Sequence, residues 1–204
     1  MALAVTCLPS GALAASGINP LVNGHASAGA KLATTCYACH GPQGNGAVNP
    51  AWPKLAGQGA PYLVEQLAAF KSGQRRNAVM QAQAARLDPQ QMRDLAVWFA
   101  SRPPVIGTAD PLLVPPARKV YMTGDAAAKV PACAACHGPS GEGNPAAGIP
   151  ALSGQNAPYI EAQLRAYRSG ERKGGRHGQM MREAAAGLDD RQIAALASYV
   201  AGLH

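Results

Sequence analysis

Cys36-Tyr37-Ala38-Cys39-His40-Gly41-Pro42-Gln43-Gly44-Asn45-Gly46 and Cys133-Ala134-Ala135-Cys136-His137-Gly138-Pro139-Ser140-Gly141-Glu142-Gly143 are two versions of one stretch, 97 residues apart. The same offset relates Pro53-Lys54-Leu55 to Pro150-Ala151-Leu152, Gly57-Gln58 to Gly154-Gln155, and Ala60-Pro61-Tyr62 to Ala157-Pro158-Tyr159. Gly73 answers Gly170 at that spacing, whereas Leu87-Asp88 answers Leu188-Asp189 at 101, so the second copy carries four extra residues in between. A self-match this long marks duplication of a whole domain. Five prolines (103, 104, 111, 115 and 116) crowd the junction. The expected organisation is a first domain over 22–102, a Pro-rich linker over 103–116, and a second domain over 117–204.

Each copy reads as short helices joined by loops. Pro61 sits at a helix start, Leu63, Leu67 and Phe70 share a face, and Gly73 closes the helix. Pro158, Ile160, Leu164, Tyr167 and Gly170 repeat that pattern. The last helix of each copy carries a capping signal, Asp88 with Gln91 and Asp189 with Gln192. Met92, Leu95, Ala96 and Phe99 then recur at helical spacing, as do Ile193, Leu196, Ala197 and Val200. No alternating β-branched run suggests a sheet, and the expected fold is all-α.

The chemistry lies in the Cys-x-x-Cys-His spacing. Two thiols three positions apart on an opening helical turn reach the two vinyl groups of one porphyrin, and the adjacent imidazole faces the iron from the same side. Zinc would need both cysteine pairs to converge on one metal, yet each pair occupies the same place in a separate repeat. A redox disulfide would need a βαβ setting that is missing. Cys36, Cys39, Cys133 and Cys136 are therefore expected to attach two haem c groups, with His40 and His137 as iron ligands. The sixth ligand must also recur. Met80 stands seven residues before Leu87, and Met181 seven before Leu188; Met180 has no such counterpart. Met80 and Met181 are the expected ligands, since a thioether favours Fe(II) and a His/Met pair raises the reduction potential. Met92 and Met122 lack the paired context and are expected to be structural; His177 is a lesser rival to Met181.

Composition agrees. The chain has 204 residues, 14% charged and 5% aromatic, with 23 glycines and 17 prolines. Side chains this poor in rings build thin cores, which a buried porphyrin completes. The formal charge is +7, but no basic run with interleaved aromatics points to nucleic acid. Residues 1–16 carry no charge and end near Gly11-Ala12-Leu13-Ala14, which suggests an atypical signal peptide whose cleavage would remove Cys7, the fifth cysteine. The expected location is the periplasm.

These motifs together resemble the cytochrome c4 family over about residues 25–204: the Cys-x-x-Cys-His-Gly-x-x-Gly-x-Gly start, the Pro-x-Leu-x-Gly-Gln-x-Ala-Pro-Tyr middle, the Met seven residues before Leu-Asp, and the duplication itself. The resemblance implies two tandem class I cytochrome c domains with bis-His/Met haems and electrons passing between them. It implies that the Pro53 and Pro150 carbonyls accept the Nδ1–H of His40 and His137. It implies redox partners such as a cytochrome bc complex and a terminal haem–copper oxidase, with the carrier diffusible or peripherally associated with a membrane. The expected function is electron carriage without catalysis. The alternatives are an electron-transfer subunit of a periplasmic dehydrogenase and a di-haem peroxidase; the two matched methionines argue against the peroxidase. Arg75, Arg76, Arg172, Lys173 and Arg176 are read as a solvated face, or else as counter-charges to haem propionates. Tyr62, Tyr159, Gln58 and Gln155 stand open between propionate contacts and other roles.

Overall fold

The computed structural model describes residues 18–19, 21–46 and 48–204. The expected leader and Cys7 lie outside the described residues. An antiparallel pair of two-residue strands, β1 (Ile18–Asn19) and β2 (Gly24–His25), opens the described chain. Beyond it the regular elements are helices. The first copy runs α1 (Ala26–Leu32), α2 (Tyr37–His40), α3 (Ala60–Lys71), α4 (Ala78–Ala85) and α5 (Pro89–Ala100). The second runs α6 (Val114–Thr123), α7 (Ala134–His137), α8 (Ala157–Arg168), α9 (Gly178–Ala185) and α10 (Asp190–Ala201). The fold is all-α.

Local chemistry sets the helix ends. Pro61 and Pro158 lie in the first turns of α3 and α8, where a missing N–H costs no intrahelical bond. Asp88 and Asp189 each form a complete capping box at α5 and α10, with Gln91 and Gln192 reaching back to the cap N–H groups. Both helices bury their apolar stripes. Met92, Leu95, Ala96 and Phe99 are at most 5% exposed, and Ile193, Leu196, Ala197 and Val200 at most 3%.

The loop after each histidine must pass close to the last helix. Gly44 adopts φ +73° and a Cβ there would stand 2.8 Å from Phe99 Cδ1 and 3.0 Å from Ala56 N; at Gly141, φ +71°, it would meet Leu203 Cδ2 at 2.9 Å and Ser153 N at 3.0 Å. Glycine is needed on both counts, steric and conformational. The freed carbonyls then accept the next loop, Leu55 N–H to Gly44 O at 2.7 Å and Leu152 N–H to Gly141 O at 2.7 Å.

The proline-rich junction is tied down along its length. Asn45 bonds the Pro103 carbonyl and the Val105 N–H, the Lys54 ammonium donates to Val105 O, Gly107 N–H donates to Ala201 O, and Asp110 N–H donates to Ser198 Oγ. Its last residues are helical, since Val114, Pro115 and Pro116 begin α6. Proline is tolerated there because first-turn N–H groups have no partner to lose.

The capping boxes give a direct test. Asp189→Ala should cost about 1 kcal/mol of stability, read as a lower denaturant midpoint with an unchanged visible spectrum.

Candidate haem sites

Cys36 and Cys133 each accept a backbone bond from the following histidine, His40 N–H to Cys36 O and His137 N–H to Cys133 O, both at 2.9 Å. One helical turn thus gathers two thiols and an imidazole on a common side. Gly41 (φ +76°) and Gly138 (φ +80°) then turn the chain away. His40 Nδ1 lies 2.9 Å from Pro53 O, and His137 Nδ1 lies 2.9 Å from Pro150 O. A carbonyl only accepts, so Nδ1 carries the proton and Nε2 keeps its lone pair for a metal. Burial holds both imidazoles below their ordinary pKa, against the opposing effect of the proline carbonyls, with His177 adding to the shift at His137. Each is a neutral imidazole.

The thiols suit thioether formation better than metal binding. The four cysteines are unpaired. Burial pushes the Cys133 thiol up to about 11 and raises Cys36 as well, despite the contact from Thr35 to Cys36. Among the described residues no group of three or more His, Cys, Asp and Glu is placed to hold a metal ion. Two thiols beside one tethered imidazole, built twice with no further ligand gathered around either pair, fit covalent haem and not a thiolate–zinc centre.

Met80 and Met181 occupy first turns of corresponding helices and are both half-buried. Asn77 Oδ1 caps α4 by accepting the Met80 N–H at 2.9 Å; in α9 the Met181 N–H bonds His177 O at 2.9 Å. Met180 is 52% exposed. The His177 ring is engaged elsewhere, with Nε2 at 2.8 Å from Ala147 O. Met92 is buried and Met122 packs against the second core.

The two domains meet through contacts that obey the 97-residue offset. Gln58 Nε2 donates to Ala151 O at 2.9 Å and its Oε1 accepts the Ala151 N–H at 2.9 Å. Reciprocally, Gln155 Nε2 donates to Lys54 O at 2.9 Å and its Oε1 accepts the Lys54 N–H at 2.7 Å. Arg75 bonds Gln66, Tyr159 and Gln163, while Arg172 bonds Gln163, Tyr62 and Gln66. The solvated-face reading of Arg75 and Arg172 is therefore overturned: Arg172 is 6% exposed and Arg75 partly buried. Arg76, Lys173 and Arg176 do face solvent. Gln66 and Gln163 were missed, though their identity at the repeat offset was the available signal.

A tethered imidazole with a thiol pair, present in each of two similar all-α domains, defines a di-haem c-type cytochrome. The cytochrome c family profile matches residues 26–102 and 118–204. The chain is 43% identical to cytochrome c4 of Azotobacter vinelandii, with 89% of this chain and 90% of that one aligned. It is 38% identical to a thiosulfate dehydrogenase electron acceptor of Thiomonas intermedia, over 83% of this chain and 78% of that protein. The crystal structure of reduced recombinant cytochrome c4 from Pseudomonas stutzeri superposes with a TM-score of 0.85 at 39% identity, covering 89% of this chain and all of that one. The chain belongs to the cytochrome c4 family. It carries two covalently bound haem c groups and transfers electrons; it is not an enzyme.

The glutamine pairs predict how the halves are held. Gln58→Ala and Gln155→Ala should each cost roughly 1–3 kcal/mol, because each strands a backbone N–H and C=O. Chemical unfolding followed in the far-ultraviolet checks the loss, with haem content unchanged.

Proposed function

We propose that this protein is a periplasmic electron shuttle, reduced by a complex such as cytochrome bc and oxidised by a terminal haem–copper oxidase. In this reading residues 1–16 are a leader, 22–102 and 117–204 are the haem domains, and 103–116 join them. Cys36, Cys39, Cys133 and Cys136 form the thioether links, His40 and Met80 ligate the first iron, and His137 and Met181 the second. The observation that carries the reading is that both sites are built alike and each domain has its own methionine in the first turn of a corresponding helix, Met80 in α4 and Met181 in α9. Each haem, when bound, supplies a one-electron Fe(III)/Fe(II) couple.

The chain's own residues account for the rest. Pro53 and Pro150 fix ring orientation and ligand basicity through the Nδ1 bonds. A neutral thioether on each iron leaves no open position for a substrate, which separates a carrier from a peroxidase. Among the described residues no helix is long and apolar enough to cross a membrane, which agrees with a free or peripherally associated carrier. The relative named as a thiosulfate dehydrogenase electron acceptor favours a second reading, in which the donor is a periplasmic dehydrogenase.

Two measurements test this. Spectra with a haem-to-protein ratio should give two haems per chain and a sulfur-to-iron band from both; Met181→Ala should abolish the band at one haem, lower its potential and admit CO, while Met180→Ala should do none of these. Rapid-mixing reduction by a cytochrome bc complex and by a thiosulfate dehydrogenase separates the donors, and fast reduction by the dehydrogenase alone would sink the first reading.

A further inference from the structure

The two interdomain glutamines stand one peptide unit away from the histidines. In the first domain His40 Nδ1–H donates to Pro53 O at 2.9 Å. The other end of that same peptide, the Lys54 N–H, donates to Gln155 Oε1 at 2.7 Å. In the second domain His137 Nδ1–H donates to Pro150 O at 2.9 Å, and the Ala151 N–H donates to Gln58 Oε1 at 2.9 Å. Each chain of bonds begins on an imidazole of one domain and ends on a side chain of the other. Gln155 thus stands behind His40, and Gln58 behind His137.

Both amides are held in one orientation. Gln58 Oε1 also accepts the Gly59 N–H, and Gln155 Oε1 the Asn156 N–H, both at 2.9 Å. Each Nε2 faces a carbonyl instead, Ala151 O for Gln58 and Lys54 O for Gln155. Two N–H donors on one side and a carbonyl on the other settle which amide atom is oxygen. The backbone just before each glutamine is tied to the last helix of its own domain, Gly57 N–H to Phe99 O at 3.0 Å and Gly154 N–H to Val200 O at 2.9 Å. Gln58 and Gln155 are each only 7% exposed, so water competes little for these bonds.

A peptide group polarises as a unit. An acceptor on its N–H draws electron density onto the carbonyl oxygen and makes that oxygen a better acceptor, a gain of roughly 10–30% per bond. A better acceptor for Nδ1–H leaves the imidazole richer in electrons and Nε2 more basic. A more basic axial ligand favours Fe(III) and lowers the potential. In both domains the glutamine meets the one N–H that shares a peptide with the histidine's acceptor.

We propose that Gln155 and Gln58 are positioning residues that act crosswise, each lowering the reduction potential of the haem in the opposite domain through the donor strength of its histidine. The proposal rests on His40 and His137 being the axial ligands, as in the proposed function. Each potential then depends on closure of the domain contact. The balance between the two glutamines sets how a single electron divides between the haems.

Spectroelectrochemical titration and histidine NMR of the reduced full-length holoprotein test this with Gln155→Leu, Gln155→Glu, Gln58→Leu and Gln58→Glu. Gln155→Leu should raise the midpoint of the first haem, leave the second near its unmodified value, and move the His40 Nδ1–H resonance upfield. Gln58→Leu should do the same to the second haem and His137, so the two variants displace the electron of half-reduced protein in opposite directions. Each glutamate keeps an acceptor and strengthens it, and should lower the midpoint that the matching leucine raises. The Met181→Ala background, in which the second haem alone binds CO, assigns each midpoint to its haem. Haem content and the sulfur-to-iron band, read in every variant, separate a failure of ligation from a failure of the relay. Unmoved midpoints in the leucine variants would overturn the proposal. So would a shift confined to the substituted residue's own domain, or a joint fall of both midpoints as water reaches both haems, which would make the glutamines adhesive alone. If a leucine variant does not give folded holoprotein, the matching glutamate decides by sign, and a midpoint at or above the unmodified value in the opposite domain overturns the proposal.

Discussion

A histidine whose Nε2 is to keep its lone pair carries its proton on Nδ1, and where that proton goes constrains much of this molecule. In both domains it goes to a proline carbonyl, Pro53 for His40 and Pro150 for His137. Proline is apt there, because its fixed φ limits how far the carbonyl swings. The residue after each proline is the one the opposite domain grips, Lys54 by Gln155 and Ala151 by Gln58. The orientation of each imidazole and the docking of the domains are thus properties of one short loop. A disturbance at the domain contact reaches the imidazole through a single peptide unit.

Among the described residues the protein parts of the two cores are small, seven buried side chains around Leu95 and Phe99 in one and thirteen around Tyr121 and Ile193 in the other. Cores of this size explain why several loops run close to helices and why glycines stand at the points of nearest approach. The second core is better closed by protein alone. Tyr121 is fully buried, donates to Gly138 O at 2.7 Å and sits 5.4 Å from the Tyr199 ring, an arrangement the first domain does not repeat. Duplication therefore preserved the haem-bearing parts more strictly than the packing behind them.

What could be read in the sequence followed a simple rule. Features fixed by neighbours along the chain were legible: the Cys-x-x-Cys-His turn, the capping boxes at Asp88 and Asp189, and the register of the methionines against the last helix. Features fixed by the other domain were not. Arg172 looks like any loop arginine until α3 closes over it, and Gln66 looks like a surface residue of an amphipathic helix although it is 6% exposed. The proline-rich junction reads as a spacer, yet Asn45, Lys54, Ala201 and Ser198 pin it. A charged or polar residue's burial is a property of what packs against it, and no local pattern carries that information.

The four residues added to the second copy break an otherwise close twofold relation. Around them Arg176 N–H bonds Glu65 Oε1 at 2.6 Å, Gly174 lies against the Gln74 backbone, and the Arg182 guanidinium returns to Lys173 O. Among the described residues no backbone N–H of the corresponding first-copy segment bonds a side chain of the second domain. Two identical halves would present any visitor with two interchangeable doors, and traffic could enter or leave by either. A strap on one flank alone gives the molecule a front and a back, the least a two-centre wire needs for its ends to be told apart.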